Sequence, residues 1–370
     1  MYTVNNIHHF LLQEKLIDSD TVVFGDFEVT SINRRNQNIQ VTTLTDPNFL
    51  IKQVKNLKSE NAQTLKREAQ FYDYFSKSLP SLNNYLPEVK YVDLEKVILV
   101  MTFYKDAIPL WKYYNEKTIE KFPLKTTETV GRLLGEVHNA FTKEEIMKDK
   151  RLDFLNDELP LIFNLYKPHP KRLSYIGRGG YNFIKHIQKE DDIMIAFNNI
   201  PSIWKKNALI HGDIKLDNFI ILNPEDPASN QLRLVDWEML QYGDFAWDLA
   251  GVFNDFVFWW IINMPDNETP EEMVKNAKFS FDKLHPAINV YWESYCSTRG
   301  LTFKENIELL EKVTLFSGFR LLQTSFEISS KFDAIPHIAQ LFLNMGKSII
   351  RNPELTQEKL FGISKKELIS

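Results

Sequence analysis

Cysteine is all but missing from this chain: Cys296 is the only one in 370 residues. No intrachain disulfide is possible, and the lone thiol reads as a packing side chain. An excess of positive charge is missing too. Lys and Arg number 44 against 49 Asp and Glu, for a net charge of −5, which argues against a globally basic nucleic-acid binder. Long hydrophobic runs are also lacking. The most apolar stretch, Phe256 to Ile262, falls far short of the roughly 20 residues a membrane-spanning helix needs. The N-terminal MYTVNNIHHFLLQEK has no basic stretch ahead of a long apolar run, so we expect no signal peptide, no membrane partner and a cytoplasmic location. There is no internal repeat and no low-complexity segment. The hydrophobic content, 44%, is enough for two lobes, each with its own core.

The periodicity changes along the chain. Residues 4 to 17 read as a short amphipathic helix with Ile7, Phe10, Leu11 and Ile17 mostly on one side. Adjacent His8 and His9 point apart and make poor joint metal ligands. Thr21 to Thr30 and Ile39 to Leu44 then alternate as strands joined by a polar loop, Ser31 to Asn38, and Phe49 to Val54 makes a third. A helix over Ser59 to Ser76 and strands near Glu88 to Val92 and Val97 to Phe103 complete a small lobe. After Tyr104 the pattern is mostly helical, with an apolar stripe over Thr127 to Phe141. A hairpin of Phe219 to Leu222 and Leu232 to Val235 interrupts it. The expected fold class is α+β and bilobal. It has an N-terminal helical extension (1–20), a five-stranded N-lobe with one main helix (21–103) and a larger, mostly helical C-lobe (104–370).

Two polar clusters stand against this apolar background. HGDIKLDNFI, residues 211 to 220, sets a histidine, two aspartates and an asparagine just ahead of a buried strand. Carboxylates there are costly unless they are paired or hold a metal. Downstream, LVDWE puts Asp236 at the end of a second strand. Asp213, Asn218 and Asp236 form the set that phosphoryl transfer needs. One carboxylate takes the proton of an incoming hydroxyl, while an amide oxygen and a second carboxylate hold Mg²⁺ against nucleotide phosphates. Asparagine suits a metal because it gives oxygen without added charge. In the small lobe, Lys52 lies in the strand FLIKQ, placed to meet the phosphates. On the following helix Glu68 shares the inward stripe of Leu65, Ala69 and Tyr72, where a lone carboxylate is disfavoured. A Lys52–Glu68 pair resolves that cost. A strand lysine or a helix glutamate alone is commonplace; the set in this order, each on the right kind of element, is specific.

HGDIKLDN, then LVDWE, then GDFAWDLA (243–250) resembles the aminoglycoside phosphotransferase and choline kinase superfamily. The resemblance runs from the Asn36 loop through Lys52, Glu68 and the strand VILVMTF to the start of the GDFAWDLA helix. It implies a protein-kinase-like fold with ATP between two lobes. Asp213 would be the catalytic base, Asn218 and Asp236 the Mg²⁺ ligands, Lys52 the phosphate ligand and Glu68 its partner. Asp248 would brace the catalytic loop, His211 would pack it, and backbone groups around Met101 to Phe103 would hold the adenine. The departures matter as well. Gly212 stands where protein kinases carry an arginine that answers a phosphorylated loop, Asp236-Trp237-Glu238 replaces Asp-Phe-Gly, and only about eight residues separate Asp236 from Asp244. A small-molecule kinase is therefore favoured over a conventional protein kinase. Arg34 and Arg35 replace the family's phosphate-loop glycines ahead of Asn36. They either neutralise phosphate by charge or face solvent.

The acceptor is expected beside Asp213, near Asp255, Trp259 and Trp260. Between Arg233 and Lys275 stand nine acidic residues and no basic one. That favours a cationic small molecule such as an aminoglycoside or a choline-like amine, which aromatic faces can hold. An ordinary helix core is the plainer reading for most of these aromatics. From Lys167 to Lys189 there are six basic residues and no acidic one. This segment would instead suit a larger, partly anionic acceptor, such as Ser or Thr of a ribosomally made precursor peptide. A pseudokinase scaffold is the remaining alternative; the presence of all of Lys52, Glu68, Asp213, Asn218 and Asp236 argues against it.

Overall fold

A computed structural model describes the chain except for residues 34–36, 45–46, 80–81, 142–145, 147, 170–175, 227–230, 266–268 and 365–370. Asn36, Arg34 and Arg35 lie outside the described residues, as does part of the basic 167–189 segment. The chain divides into two compact units, one of Met1–Tyr113, Met147–Leu155 and Asp217–Leu240, the other of Tyr114–Ile146, Asn156–Leu216 and Gln241–Ser370.

The first unit is built on an antiparallel sheet of β1 (Glu28–Asn33), β2 (Gln37–Thr42), β3 (Phe49–Gln53), β4 (Val89–Asp93) and β5 (Ile98–Thr102), in the order β1-β2-β3-β5-β4. Alternation along β3 sends Phe49, Ile51 and Gln53 to one face and Leu50 and Lys52 to the other. Phe49 and Ile51 join Ile39, Val41, Ile98 and Val100 in a core completed by Ile7, Phe10 and Leu11 of α1 (Ile7–Gln13). The side-chain amide of buried Gln53 pairs with the main chain of Tyr2, donating to its carbonyl at 2.6 Å and accepting from its N–H at 2.9 Å. The N-terminal helix is thus part of this unit's core rather than an extension to it. The next segment also departs from expectation. Residues 21–24 belong to a helix, α2 (Ser19–Phe24), because Asp18 accepts the Thr21 N–H at 2.8 Å and caps it. That cap outweighs the strand preference of Thr-Val-Val, and β1 starts only at Glu28. At the hairpin the strands run further than expected, to Asn33 and from Gln37.

Helix α3 (Glu60–Ser78), capped by Ser59, buries Leu65, Glu68, Ala69, Phe71, Tyr72 and Phe75. A smaller antiparallel sheet in the same unit joins β6 (Ile108–Pro109), β8 (Phe219–Ile221) and β9 (Leu232–Leu234). The expected hairpin is therefore present, but it belongs with the first unit instead of the helical one.

In the second unit, β7 (Ala208–Ile210) pairs with β10 (Gln241–Gly243). The helices there include α4 (Leu124–Asn139), α5 (Arg178–Ile187), α6 (Asp191–Ile203), α7 (Phe245–Ile262), α8 (His285–Arg299), α9 (Phe303–Ser329) and α10 (His337–Arg351). Helix α4 packs on α8, and α9 packs on both α7 and α10. By length and composition α7 could cross a membrane, yet it is mostly buried among the other helices. A helix that is apolar all round fits the centre of a packed unit. Where α9 meets α10 the main chains touch: a Cβ on Gly346 would stand 2.8 Å from the Gly318 carbonyl oxygen.

Candidate active site

Lys52 and Glu68 meet inside the first unit. The Lys52 Nζ lies 2.8 Å and 3.0 Å from the Glu68 carboxylate oxygens and 2.9 Å from Asp236 Oδ1. Glu68 is fully buried and Lys52 is 7% exposed. Burial pulls the Lys52 ammonium down, and the charges of Glu68 and Asp236 outweigh it, holding the ammonium above its ordinary range. Burial pushes the Glu68 carboxyl up to about 7. We read the pair as ionised, because these carboxylate oxygens surround the ammonium. A buried pair with its hydrogen bonds in place tolerates the loss of water.

Asp236 stands in the left-handed backbone region, φ 68° and ψ 55°. That is a costly setting for a residue with a side chain, and it marks a local constraint. The next residue explains how it is held. Trp237 is fully buried, its ring stacks on Phe71 of α3 at 4.2 Å, and its Nε1–H donates to the Leu234 carbonyl at 3.1 Å. Near these groups, buried Tyr72 has its pKa raised well above the ordinary value, by burial first and then by Glu68 and Asp236.

Strand register brings Asn218 and Asp236 to the same end of the β8–β9 pair. Phe219 is opposite Leu234, and the Val235 N–H donates to the Asn218 carbonyl at 2.9 Å. Asn218 is buried in the turn that precedes β8, while the Asp236 side chain is partly open to solvent. An amide oxygen and a carboxylate so placed are hard oxygen donors, which fits Mg²⁺. Met101 is buried in β5, opposite Leu50 of β3. The N–H groups of Thr102 and Phe103 are already bonded, to the Glu88 and Asn48 carbonyls at 2.8 and 2.9 Å.

Asp213 belongs to the second unit, on the loop that follows β7. Gly212 takes φ +80° there, which a side chain would resist. Buried Asp248, on the first turn of α7, accepts the N–H of His211 at 2.7 Å and of Gly212 at 2.9 Å. The Trp247 Nε1–H donates to the Gly212 carbonyl at 3.1 Å, and the Asp213 N–H to His211 Nδ1 at 3.3 Å. Buried His138 lies 3.0 Å from the Tyr295 hydroxyl and 3.3 Å from Asp248. Burial holds its pKa below the ordinary value, against the pull of Asp248. The Asp213 side chain, by contrast, is 30% exposed, and Lys215 Nζ donates to its Oδ2 at 2.6 Å.

Asp255, Trp259 and Trp260 use their polar atoms inside the unit. Asp255 accepts the Leu216 N–H and the side-chain amide of Asn254, Trp259 donates to Asn115, and Trp260 donates to the Phe279 carbonyl at 2.9 Å. Asp255 thus serves as a loop brace, a task the sequence reading did not give it. That reading also passed over Lys215, although its spacing from Asp213 was a usable signal. It passed over Gly251 as well, where a Cβ would stand 2.5 Å from the Ile214 carbonyl oxygen.

The fold, a five-stranded antiparallel sheet with many helices, is protein-kinase-like. Residues 27–268 match the phosphotransferase enzyme family, and the chain belongs to that family. No curated protein matches the chain significantly. Among solved structures it is similar to a choline kinase from Cryptosporidium parvum Iowa II, at 14% identity and TM-score 0.55 over all of both chains. It is also similar to a variant aminoglycoside 2'-phosphotransferase-IIIa bound to GDP, at 13% identity and TM-score 0.52, covering 96% of this chain and 99% of that one. LicA in complex with AMP matches at 15% identity and TM-score 0.51, covering 95% and 99%. At these identities the likeness is one of fold.

Proposed function

We propose that this protein transfers the γ-phosphoryl group of ATP to a hydroxyl of a small-molecule acceptor. The observation that carries the reading is the buried Lys52–Glu68 pair in contact with Asp236. A fully buried carboxylate and a nearly buried ammonium are poor structural choices when apolar residues would fill the same space. They make sense where an anionic ligand is to be met by a positioned cation. Lys52 would hold the nucleotide phosphates, with Glu68 keeping its ammonium in place. The oxygens of Asn218 and Asp236 would hold Mg²⁺, which when bound would neutralise charge on the phosphate oxygens. Asp213, partly exposed and oriented by Lys215, would accept the proton of the acceptor hydroxyl. The neighbours bound to AMP and GDP support nucleotide use.

The test is ADP formation from ATP and Mg²⁺ with a panel of hydroxyl acceptors, comprising aminoglycosides, choline-like amines, amino alcohols, sugars and Ser/Thr peptides, with product mass as the readout. One phosphate added to a small molecule is the expected result. Addition to peptides alone would replace the small-molecule reading. Asp213→Asn is expected to lose roughly 10²- to 10⁴-fold in turnover while still binding ATP. Unchanged turnover would remove Asp213 as the base.

A further inference from the structure

Besides Asp248, two charged side chains are buried in the second unit and engaged with main chain near Asp213. Arg320 of α9 is 6% exposed, and its Nη2 donates to the Ile214 carbonyl at 2.6 Å. Asp255 of α7 is 7% exposed, and its Oδ2 accepts the Leu216 N–H. Both are supported from behind. The Arg320 guanidinium lies 5.0 Å from the centre of the Trp247 ring, the same tryptophan that donates to the Gly212 carbonyl. Asp255 Oδ1 accepts from the Asn254 amide at 3.0 Å, and the Asn254 oxygen accepts from the Thr324 hydroxyl at 3.2 Å.

We propose that Arg320 and Asp255 are positioning residues for phosphoryl transfer: they grip the peptide groups on either side of Lys215 and so aim the Lys215–Asp213 ion pair. The geometry is direct. The Ile214 carbonyl belongs to the peptide plane before Lys215, and the Leu216 N–H to the plane after it. Peptides are planar, so holding both planes restrains both backbone torsions of Lys215 and sets the direction in which its side chain leaves the main chain. Lys215 in turn takes Asp213 Oδ2, which decides how the carboxylate faces an acceptor hydroxyl. Stability alone does not account for the arrangement. A hydrogen bond involving a charged group contributes about 1.5–3 kcal/mol, while desolvating each ion costs several kcal/mol. An apolar pair at these helix positions would avoid that desolvation cost but would leave the Ile214 carbonyl and the Leu216 N–H without these partners, and it could not hold two peptide planes.

This inference rests on the reading of Asp213 as the base. Its test is steady-state ADP formation from Mg²⁺-ATP by the full chain, for Arg320→Met, Arg320→Lys and Asp255→Asn, beside Asp213→Asn. Arg320→Met is expected to lower kcat roughly ten- to a hundredfold with KM for ATP within about twofold, because aim is lost and nucleotide binding is not. Arg320→Lys, which can still donate to the carbonyl, should recover most of that loss. In Asp255→Asn, where an NH₂ group must face one of two N–H donors, kcat should fall and amide exchange at Leu216 should speed up. Should Arg320→Met fail to fold, Asp255→Asn carries the test. An inactive Asp213→Asn with Arg320→Met at wild-type kcat would overturn this inference and leave the base in place. So would a loss that the lysine does not rescue, or one matched by an equal rise in KM. Wild-type turnover in Asp213→Asn would overturn the base assignment, and this inference with it.

Discussion

Around Lys52, side chains hold one another; around Asp213, side chains hold the main chain. In the first region an ammonium is surrounded by carboxylate oxygens from a helix and a strand end, with Glu68 and Lys52 out of solvent. In the second, Asp248, Asp255, Arg320 and Trp247 bind peptide groups of residues 211–216, and the Asp213 carboxylate stays partly exposed. The difference matches the proposed tasks. A cation meant to meet phosphate must stay charged in a dry place, so it needs permanent counter-charges. A base meant to take a proton must remain reachable, so its direction is set through the backbone. Removing a group from the first region should therefore strike stability, and from the second, turnover.

The largest stability effect is expected for Glu68→Ala. It leaves the Lys52 ammonium buried against the partly exposed Asp236, and breaking a buried pair from one side costs about 3–5 kcal/mol. Urea unfolding measures this directly. Added salt should change the cost little, because buried pairs are weakly screened. A loss below about 1 kcal/mol, the range of exposed pairs, would mean that the charges around Lys52 are solvated after all. Gly251→Ala should be milder in stability and sharper in activity. Its Cβ would come within 2.5 Å of the Ile214 carbonyl oxygen, and overpacking of this kind costs about 1–3 kcal/mol. The displaced atom is the one Arg320 grips, so kcat should fall further than the stability loss alone explains. Equal damage to kcat and to ATP binding would blur the contrast between the regions.

The positions proposed to do chemistry were legible because they sit in short motifs at strand ends, where pattern and polarity can be read locally. Lys52 followed from its place in the strand FLIKQ, and Glu68 from the inward stripe of α3. Other features depend on contacts between residues far apart in sequence. Asp255 looked like an acidic wall beside aromatics, because nothing near it reveals that its partner is the amide of Leu216, 39 positions away. Arg320 reaches Ile214 across 106 positions and has no local signal at all. The apolar side of α1 was plain, but not that a β-sheet would receive it. At Thr21 to Phe24, alternation suggested a strand, while the Asp18 cap favoured a helix.

The smallest expected effect concerns pH, and it separates the scaffold of the second region from its chemistry. His138 is buried between Tyr295 and Asp248, with its pKa held below the ordinary 6.5 chiefly by burial. Asp248 and Asp244 pull it upward, while Arg299 adds to the lowering. The unfolded chain therefore takes up this proton at a higher pH than the folded protein does. The stability from keeping His138 neutral is complete above about 6.5 and falls as pH drops below it, by at most about 1.4 kcal/mol per pH unit for one proton. His186, lowered by burial and by Lys347, adds to the same slope. Urea midpoints from pH 8 to 5 should decline less steeply for His138→Gln than for the wild-type protein; the slope common to both carries His186 and, with the opposite sign, the raised carboxyl of Glu68. An identical slope in both would mean that folding does not shift the His138 pKa; a wild-type stability that falls as pH rises above about 6.5, and does not do so in His138→Gln, would mean that His138 carries its proton in the folded protein, bound to Asp248 as an ion pair.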